Sequence, residues 1–341
     1  MDNIATVIGA DKNITTADIV DTITWSNRKY PVTYIEDIAF MNCQSLSDVN
    51  LPNTITNIGA SCFYNCYNLA SIVIPPSVTH IHESAFCHCC NLSSIYFSPT
   101  PIWIGEGAFV GCYSLNSIHI SDLESWCNST FERGGTPFFP NYGNLYLNNV
   151  LVKALIIPEE IKELKSSVFE RCGSIESIAT SNSLEKIGLC VCYQCPNLRV
   201  VTLGCNTSYF EGFSFDECPK LEIVNIKASI PPTFQIWSGV DGYVNDFTNS
   251  YPEYMTLHVP KGTTEIYENA YGWKDFGAII DDLDCETGVN PIYTDSINYS
   301  LPIEIFNLNG NCVFYGTGNY TLPCGIYLVR QGTKTHKIFV N

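Results

Sequence analysis

One phrase recurs along the chain at a fixed spacing of 23 residues. It reads Ile58-Gly59, Cys62-Phe63, Cys66, Leu69, Ile72, Ile74 and Pro75. One step back gives Ile35, Phe40, Cys43, Leu46, Val49, Leu51 and Pro52. Steps forward give Ile81, Phe86, Cys89, Leu92, Ile95 and Phe97, then Ile104-Gly105, Phe109, Cys112, Leu115, Ile118 and Ile120. After 37 extra residues the phrase resumes with Leu164, Phe169, Cys172, Ile175 and Ile178. It continues with Ile187-Gly188, Cys192, Cys195, Leu198, Val201 and Leu203, and ends with Phe210, Phe215, Cys218, Leu221, Val224 and Ile226. A unit this small cannot bury its own apolar face, so the copies must stack, each alignment column becoming a ladder through the core.

Within a copy, Leu-x-x-Ile-x-Ile alternates with the period of two of a strand buried on one face. Asn or Pro around it suits turns. The Ile-Gly-x-x-Ala-Phe stretch is read as extended chain followed by a brief helical or 3₁₀ return. The expected fold class is therefore an α/β repeat solenoid, rich in β, with a small all-β domain at the C-terminus.

The pattern Ile-x-x-Ile-Gly-x-x-Ala-Phe-x-x-Cys-x-x-Leu-x-x-Ile-x-Ile-Pro resembles the BspA-like leucine-rich repeat family of bacterial surface proteins. Residues Ile81 to Phe97 and Ile104 to Ile120 carry it most closely. The resemblance covers roughly residues 35–284. It implies a right-handed leucine-rich-repeat-like solenoid, no enzymatic activity, and a place on the cell surface or outside the cell.

The flanks read differently. Residues 1–34, with Trp25, are expected to cap the first coil. No basic start and apolar run of a secretory signal follows Met1, so a leader removed from this sequence is expected. Residues 229–284 carry Ile230-Pro231-Pro232, Leu257-His258-Val259-Pro260 and an aromatic series Tyr267, Tyr271, Trp273 and Phe276 spaced for one helical face. This resembles the closing cap of BspA-like chains, and it is strongly acidic. Its acids lack the spacing and Gly of an EF-hand loop. Residues 285–341 alternate as strands around Ile303–Gly310, Gly325–Val329 and Thr335–Val340. They resemble the C-terminal β-sandwich tails of Bacteroidetes surface proteins, including type IX secretion sorting tails.

The insertion, residues 121–157, is dense in aromatic residues. Two readings stay open: a mini-core that rebuilds a coil, or a projecting loop that contacts a ligand. The stretch Asn144 to Val150 is expected to form a hairpin turning at Asn148-Asn149.

Charge and cysteine content narrow the chemistry. The 341 residues carry 17 Lys and Arg against 34 Asp and Glu, a net charge of −17, which argues against nucleic acid as a partner. No apolar run is long enough to span a bilayer, so membrane association is expected only through an anchor or sorting tail. Seventeen cysteines include the cluster Cys87-His88-Cys89-Cys90, with His80 and His82 just before it. Seven cysteines fall in one repeat column, and Cys192 takes the place of Phe in another. The fold sets that spacing, so a ladder of buried thiols is favoured over a zinc site. Disulfides between column neighbours stay open. No Gly-x-Ser-x-Gly elbow is present, and Gly105-Glu106-Gly107 lacks the third Gly of a nucleotide loop. Glu159-Glu160 fit a helix start. No catalytic residue, cofactor or metal is expected.

Binding is expected on the outward residues of the stacked strands. These are Asp48, Asn50, Ser71, Val73, Ser94, Tyr96, Ser117 and His119, continuing past the insertion with Ser177, Ala179, Val200, Thr202, Ile223 and Asn225. Tyr96 and His119 are the leading contacts. Two functions follow: a protein-binding or adhesion module towards a host or matrix protein, or a glycan binder using Trp126, Phe138 and Tyr142 of the insertion.

Overall fold

A computed structural model of the chain describes residues 4–139, 141–235 and 246–283, together with the strands 303–307, 312–316, 325–331 and 334–340. The repeats form a β-solenoid. Each coil contributes one strand to each of two parallel ladders.

In the first half of the solenoid one ladder runs through Arg28–Ile35, Asn57–Ile58, His80–Ile81, Trp103–Ile104 and Thr130–Phe131. The other runs through Ser71–Ile74, Ser94–Phe97, Ser117–Ile120 and Asn144–Leu147, in register throughout. In the second half the ladders are Glu163–Leu164 to Thr233–Phe234 and Ala154–Ile156 to Ala278–Leu283. Inward residues of the repeat strands within the ladders are apolar and buried: Ile35, Ile58, Ile81 and Ile104 have no solvent exposure. Phe40, Phe63, Phe86 and Phe109 stack face to face, with ring centroids 5.1, 5.2 and 5.4 Å apart.

The return segment is not helical, which corrects the α/β expectation. Among the described residues only Leu123–Cys127 and Thr264–Glu268 are α-helical, five residues each. The return is instead a chain of tight turns with two left-handed residues per coil, two positions on either side of the Phe column. Ile38, Ser61, Ser84 and Ser167 occupy the first position, and Asn42, Asn65, His88 and Arg171 the second. This alternation aims successive amides at the next coil. The Ile38, Phe40 and Asn42 amides donate to Ala60, Cys62 and Tyr64, and those of Ser61, Phe63 and Asn65 donate to Glu83, Ala85 and Cys87. A helix would spend those amides within itself. The Gly of the Ile-Gly phrase answers to the same close packing: a Cβ on Gly59 would lie 2.5 Å from the Asp37 amide nitrogen. Glu159 and Glu160 sit in a turn, not at a helix start.

The N-terminal residues build a partial coil of their own. Ala5–Val7 and Thr16–Asp18 pair in parallel with Arg28–Ile35 and Asp48–Asn50, and Thr22–Trp25 folds back on Arg28–Ile35. At the other end, buried Tyr267, Trp273 and Phe276 cover the last coil. The Trp273 indole donates to Pro232 O (2.8 Å) and the Tyr267 hydroxyl to Ala228 O (2.7 Å). The helix there stops at Glu268, so Tyr271 does not share the buried face and is 42 % exposed.

The insertion rebuilds a coil with four extra residues. Ile118 pairs with Leu145 and Ile104 with Phe131, a 27-residue step that accommodates the helix Leu123–Cys127. The chain then turns at Asn148 and Asn149, both left-handed, into the antiparallel strand Val150–Leu151. The four C-terminal strands form an antiparallel sheet in the order 312–316, 303–307, 325–331, 334–340. The Asn309-Gly310 turn lies outside the described residues, as does residue 284.

Candidate functional site

The outward face of the first half carries one row of side chains in register. Asp18 pairs with Asn50 and Val73 with Tyr96, followed by His119 and Tyr146. Strand spacing of about 4.8 Å sets the distance between neighbours in such a row. The Tyr96 and His119 rings stack at 4.3 Å, and those of His119 and Tyr146 at 4.7 Å, with interplanar angles of 21° and 12°. His119 Nδ1 is held 3.0 Å from Asn149 Oδ1 of the hairpin turn, which orients the middle ring. A second row, Ser71, Ser94, Ser117 and Asn144, runs beside it and is small and polar.

At the N-terminal end of this face the sheet opens into a groove of about 880 Å³. Thr16, Asp18, Asp48, Asn50, Asn53, Val73 and Pro75 are among its lining residues. Asp18 Oδ1 accepts from Asn50 Nδ2 at 2.8 Å. The groove arises because Thr16–Asp18 and Asp48–Asn50 form their own two-stranded sheet, apart from the ladder that starts at Ser71.

The strip does not run the length of the molecule. Val150–Leu151 pairs with Tyr146 and Leu147 and ends the first sheet, and a new sheet begins at Ala154. Ser71, Val73, Ser94, Tyr96, Ser117 and His119 therefore share one sheet, Asp48 and Asn50 lie on the two-stranded sheet that precedes it, and Val200 and Thr202 belong to the sheet of the second half. There Thr202 Oγ1 accepts from Asn225 Nδ2 (3.0 Å). Tyr146 completes the aromatic stack and was hidden by the insertion. Asn144-Leu145-Tyr146-Leu147 repeats the alternation of Ser117-Ile118-His119-Ile120, the signal that would have revealed it.

The insertion aromatics need a correction. Trp126 and Phe138 are 3 % and 0 % exposed and present no face to a sugar ring. Trp126 packs on Phe97, Phe131 and Phe138, and its indole donates to Val168 O at 3.1 Å, tying the two halves together. Tyr142 remains exposed, with the Arg171 guanidinium 5.8 Å from its ring centre and 4.2 Å from that of Phe139.

The cysteine column has a specific chemistry. Five of its seven thiols donate to the carbonyl of the Phe-column residue one coil earlier: Cys66 to Phe40, Cys89 to Phe63, Cys112 to Phe86, Cys195 to Phe169 and Cys218 to Cys192, at 3.1–3.2 Å. The fourteen cysteines whose side chains are described are free thiols. Burial pushes the Cys66 and Cys172 thiols up to about 12, and those of Cys62, Cys89, Cys195 and Cys218 well above their ordinary value. The cluster at 87–90 is dispersed: Cys87 and Cys89 are buried, while the His88 ring meets Tyr64 edge-on at 5.6 Å. His80 and His82 lie on the other ladder beside Trp103. Among the described residues no group of three His, Cys, Asp or Glu side chains is arranged to hold a metal ion, and no helix is long and apolar enough to cross a membrane.

Stacked coils, a capped core and an open sheet face define a β-solenoid repeat protein. The chain belongs to the BspA-type leucine-rich repeat family, whose model matches residues 19–135 and 144–233 in six copies. Among solved structures it is similar to a leucine-rich cell surface protein from Faecalibacterium prausnitzii, at 19 % identity over 84 % of this chain and 95 % of that one (TM-score 0.31). It is also similar to a leucine-rich repeat protein of T. pallidum, at 23 % identity over 62 % and 79 % (TM-score 0.37). The pneumococcal vaccine antigen PcpA matches at 14 % identity over 82 % and 92 % (TM-score 0.26). No curated protein matches the chain by sequence.

Proposed function

We propose that this chain is a non-enzymatic binding protein of the cell surface or extracellular space that docks a protein partner on the first sheet face. The observation that carries the reading is the row Asn50, Val73, Tyr96, His119 and Tyr146, in which an ordered aromatic stack adjoins a groove. Ordered rings make good anchors because little side-chain entropy is lost on binding. A host or matrix protein is the expected partner, reached through adhesion. The family resemblance supports that setting, and residues 285–341 would act as the sorting tail. A glycan reading has lost Trp126 and Phe138, and the stacked rings of the strip cover each other's faces.

Panning a displayed library of random peptides on the full chain tests this. Recovered binders are expected to lose affinity about tenfold or more for a Tyr96→Ala/His119→Ala variant, the scale of interface hot spots. Binders indifferent to that variant would place the docking face elsewhere. Deleting residues 285–341 is expected to abolish surface display; unchanged display would remove the sorting role.

A further inference from the structure

We infer that the partner segment taken by this face is cationic, an extended stretch bearing Arg or Lys. This rests on the docking face proposed above and adds the chemistry of its occupant.

Three observations converge. The groove is lined by two carboxylates, Asp18 and Asp48, and by no basic residue. Both are exposed, so they meet a partner without the cost of removing a buried charge. The adjoining coils add no basic side chain: residues 30–132 contain eight Asp and Glu and no Lys or Arg, and Lys12, Arg28 and Lys29 of the N-terminal coil do not line the groove. The aromatic stack also ends at the groove. One face of Tyr96 is covered by His119, and the other turns toward Val73, which lines the groove. An extended segment laid along this row meets the two carboxylates at the groove and the aromatic stack beyond Val73, and Arg suits both environments. An acidic segment would meet only repulsion. An apolar one would leave both carboxylates unused.

The test uses the full chain and three labelled peptides of equal length, alternating Ser with Arg, Gln or Glu, titrated at physiological salt. The Arg–Ser peptide is expected to bind. Asp18→Asn/Asp48→Asn should weaken it about five- to tenfold, since each partly exposed ion pair contributes modestly. Asn retains the acceptor for Asn50, and thermal melts check the fold. Glu36→Gln/Glu106→Gln removes the same charge from other exposed positions in this half, and should change binding less than about twofold, because screening confines the effect to nearby charges. Equal losses for the two acidic pairs would overturn the inference, leaving only attraction to net charge. Binding of the Gln or Glu peptides that Tyr96→Ala abolishes would also overturn it, while sparing the docking face. Peptide binding that no substitution on this face alters would sink both.

Discussion

The two halves of the solenoid share one core and differ in their surfaces. Residues 153–227 carry eight bases and ten acids, and they pair coil to coil at the repeat spacing. Lys153 reaches Glu176 (2.7 Å) and Arg199 reaches Glu222 (3.0 Å), while Lys186 bridges Glu163 and Glu211 (2.9 and 2.5 Å). The first half, with no bases between residues 30 and 132, joins its coils instead through short polar side chains. Thr56 and Thr79 donate to carbonyls one coil back, and Asn65 donates to Asn42. The period is therefore set by the inward columns. The outward positions are free to be neutralised, as in the second half, or left acidic and aromatic, as in the first.

Cutting the joint between the halves should have the largest effect. Trp126→Ala removes a buried ring and its bond to Val168 O, and is expected to cost about 3–5 kcal/mol. Denaturant unfolding followed by two site-specific probes should then split into two transitions. A single transition would mean that the halves are coupled elsewhere.

The second half should also respond to pH at its far end. Asp246 is fully buried, accepts from the Ser214 amide (2.7 Å), and leaves Oδ2 without a partner among the described residues. Burial raises its pKa to about 7, and that of neighbouring Asp216 upward as well. The folded chain thus holds a proton that the unfolded chain releases near its ordinary carboxyl value. Its contribution is complete below about pH 4 and lost as pH rises through about 7, a change of up to about 4 kcal/mol. Hydrogen exchange at residues 214–218 should quicken over that window, and Asp246→Asn should flatten the response. A response that persists in the variant would assign it to another group.

The core, by contrast, should not distinguish the halves. Cys89→Ala and Cys195→Ala each remove a buried sulfur and one donor to a Phe-column carbonyl, so each should cost about 1–2 kcal/mol. Unequal costs would show that the columns are not equivalent. Salt should give the smallest effect, with opposite signs. Raising ionic strength screens self-repulsion in the first half and the exposed ion pairs of the second, each by less than about 1 kcal/mol. Hydrogen exchange at low and high salt would resolve it. A common sign in both halves would mean that surface charge does not separate them.

The solenoid and its columns were legible because each is written seven times. A strand pair fixed by Ile72 and Ile95 is the same statement as one fixed by Ile178 and Val201. The hairpin at Asn148-Asn149 was legible because two adjacent left-handed residues favour Asn. The return segment was misread because Phe40, Cys43 and Leu46 are three apart, a spacing that suits helical turns as well as the tight turns found. Non-repeating features were the hardest. The groove depends on Thr16 stacking against Asp48 across 32 residues, and Tyr146 on a coil lengthened by four. Trp126 and Phe138 read as surface aromatics because burial depends on how the insertion closes, which no period encodes.

The thiol ladder has a consequence for the life history of the molecule. Once folded, the chain offers an oxidant three partly exposed cysteines among those whose side chains are described, Cys90, Cys190 and Cys205; the other eleven are buried. Unfolded, it offers all seventeen. An oxidising surrounding therefore acts as a proofreader. It passes intact copies and cross-links those that failed to close.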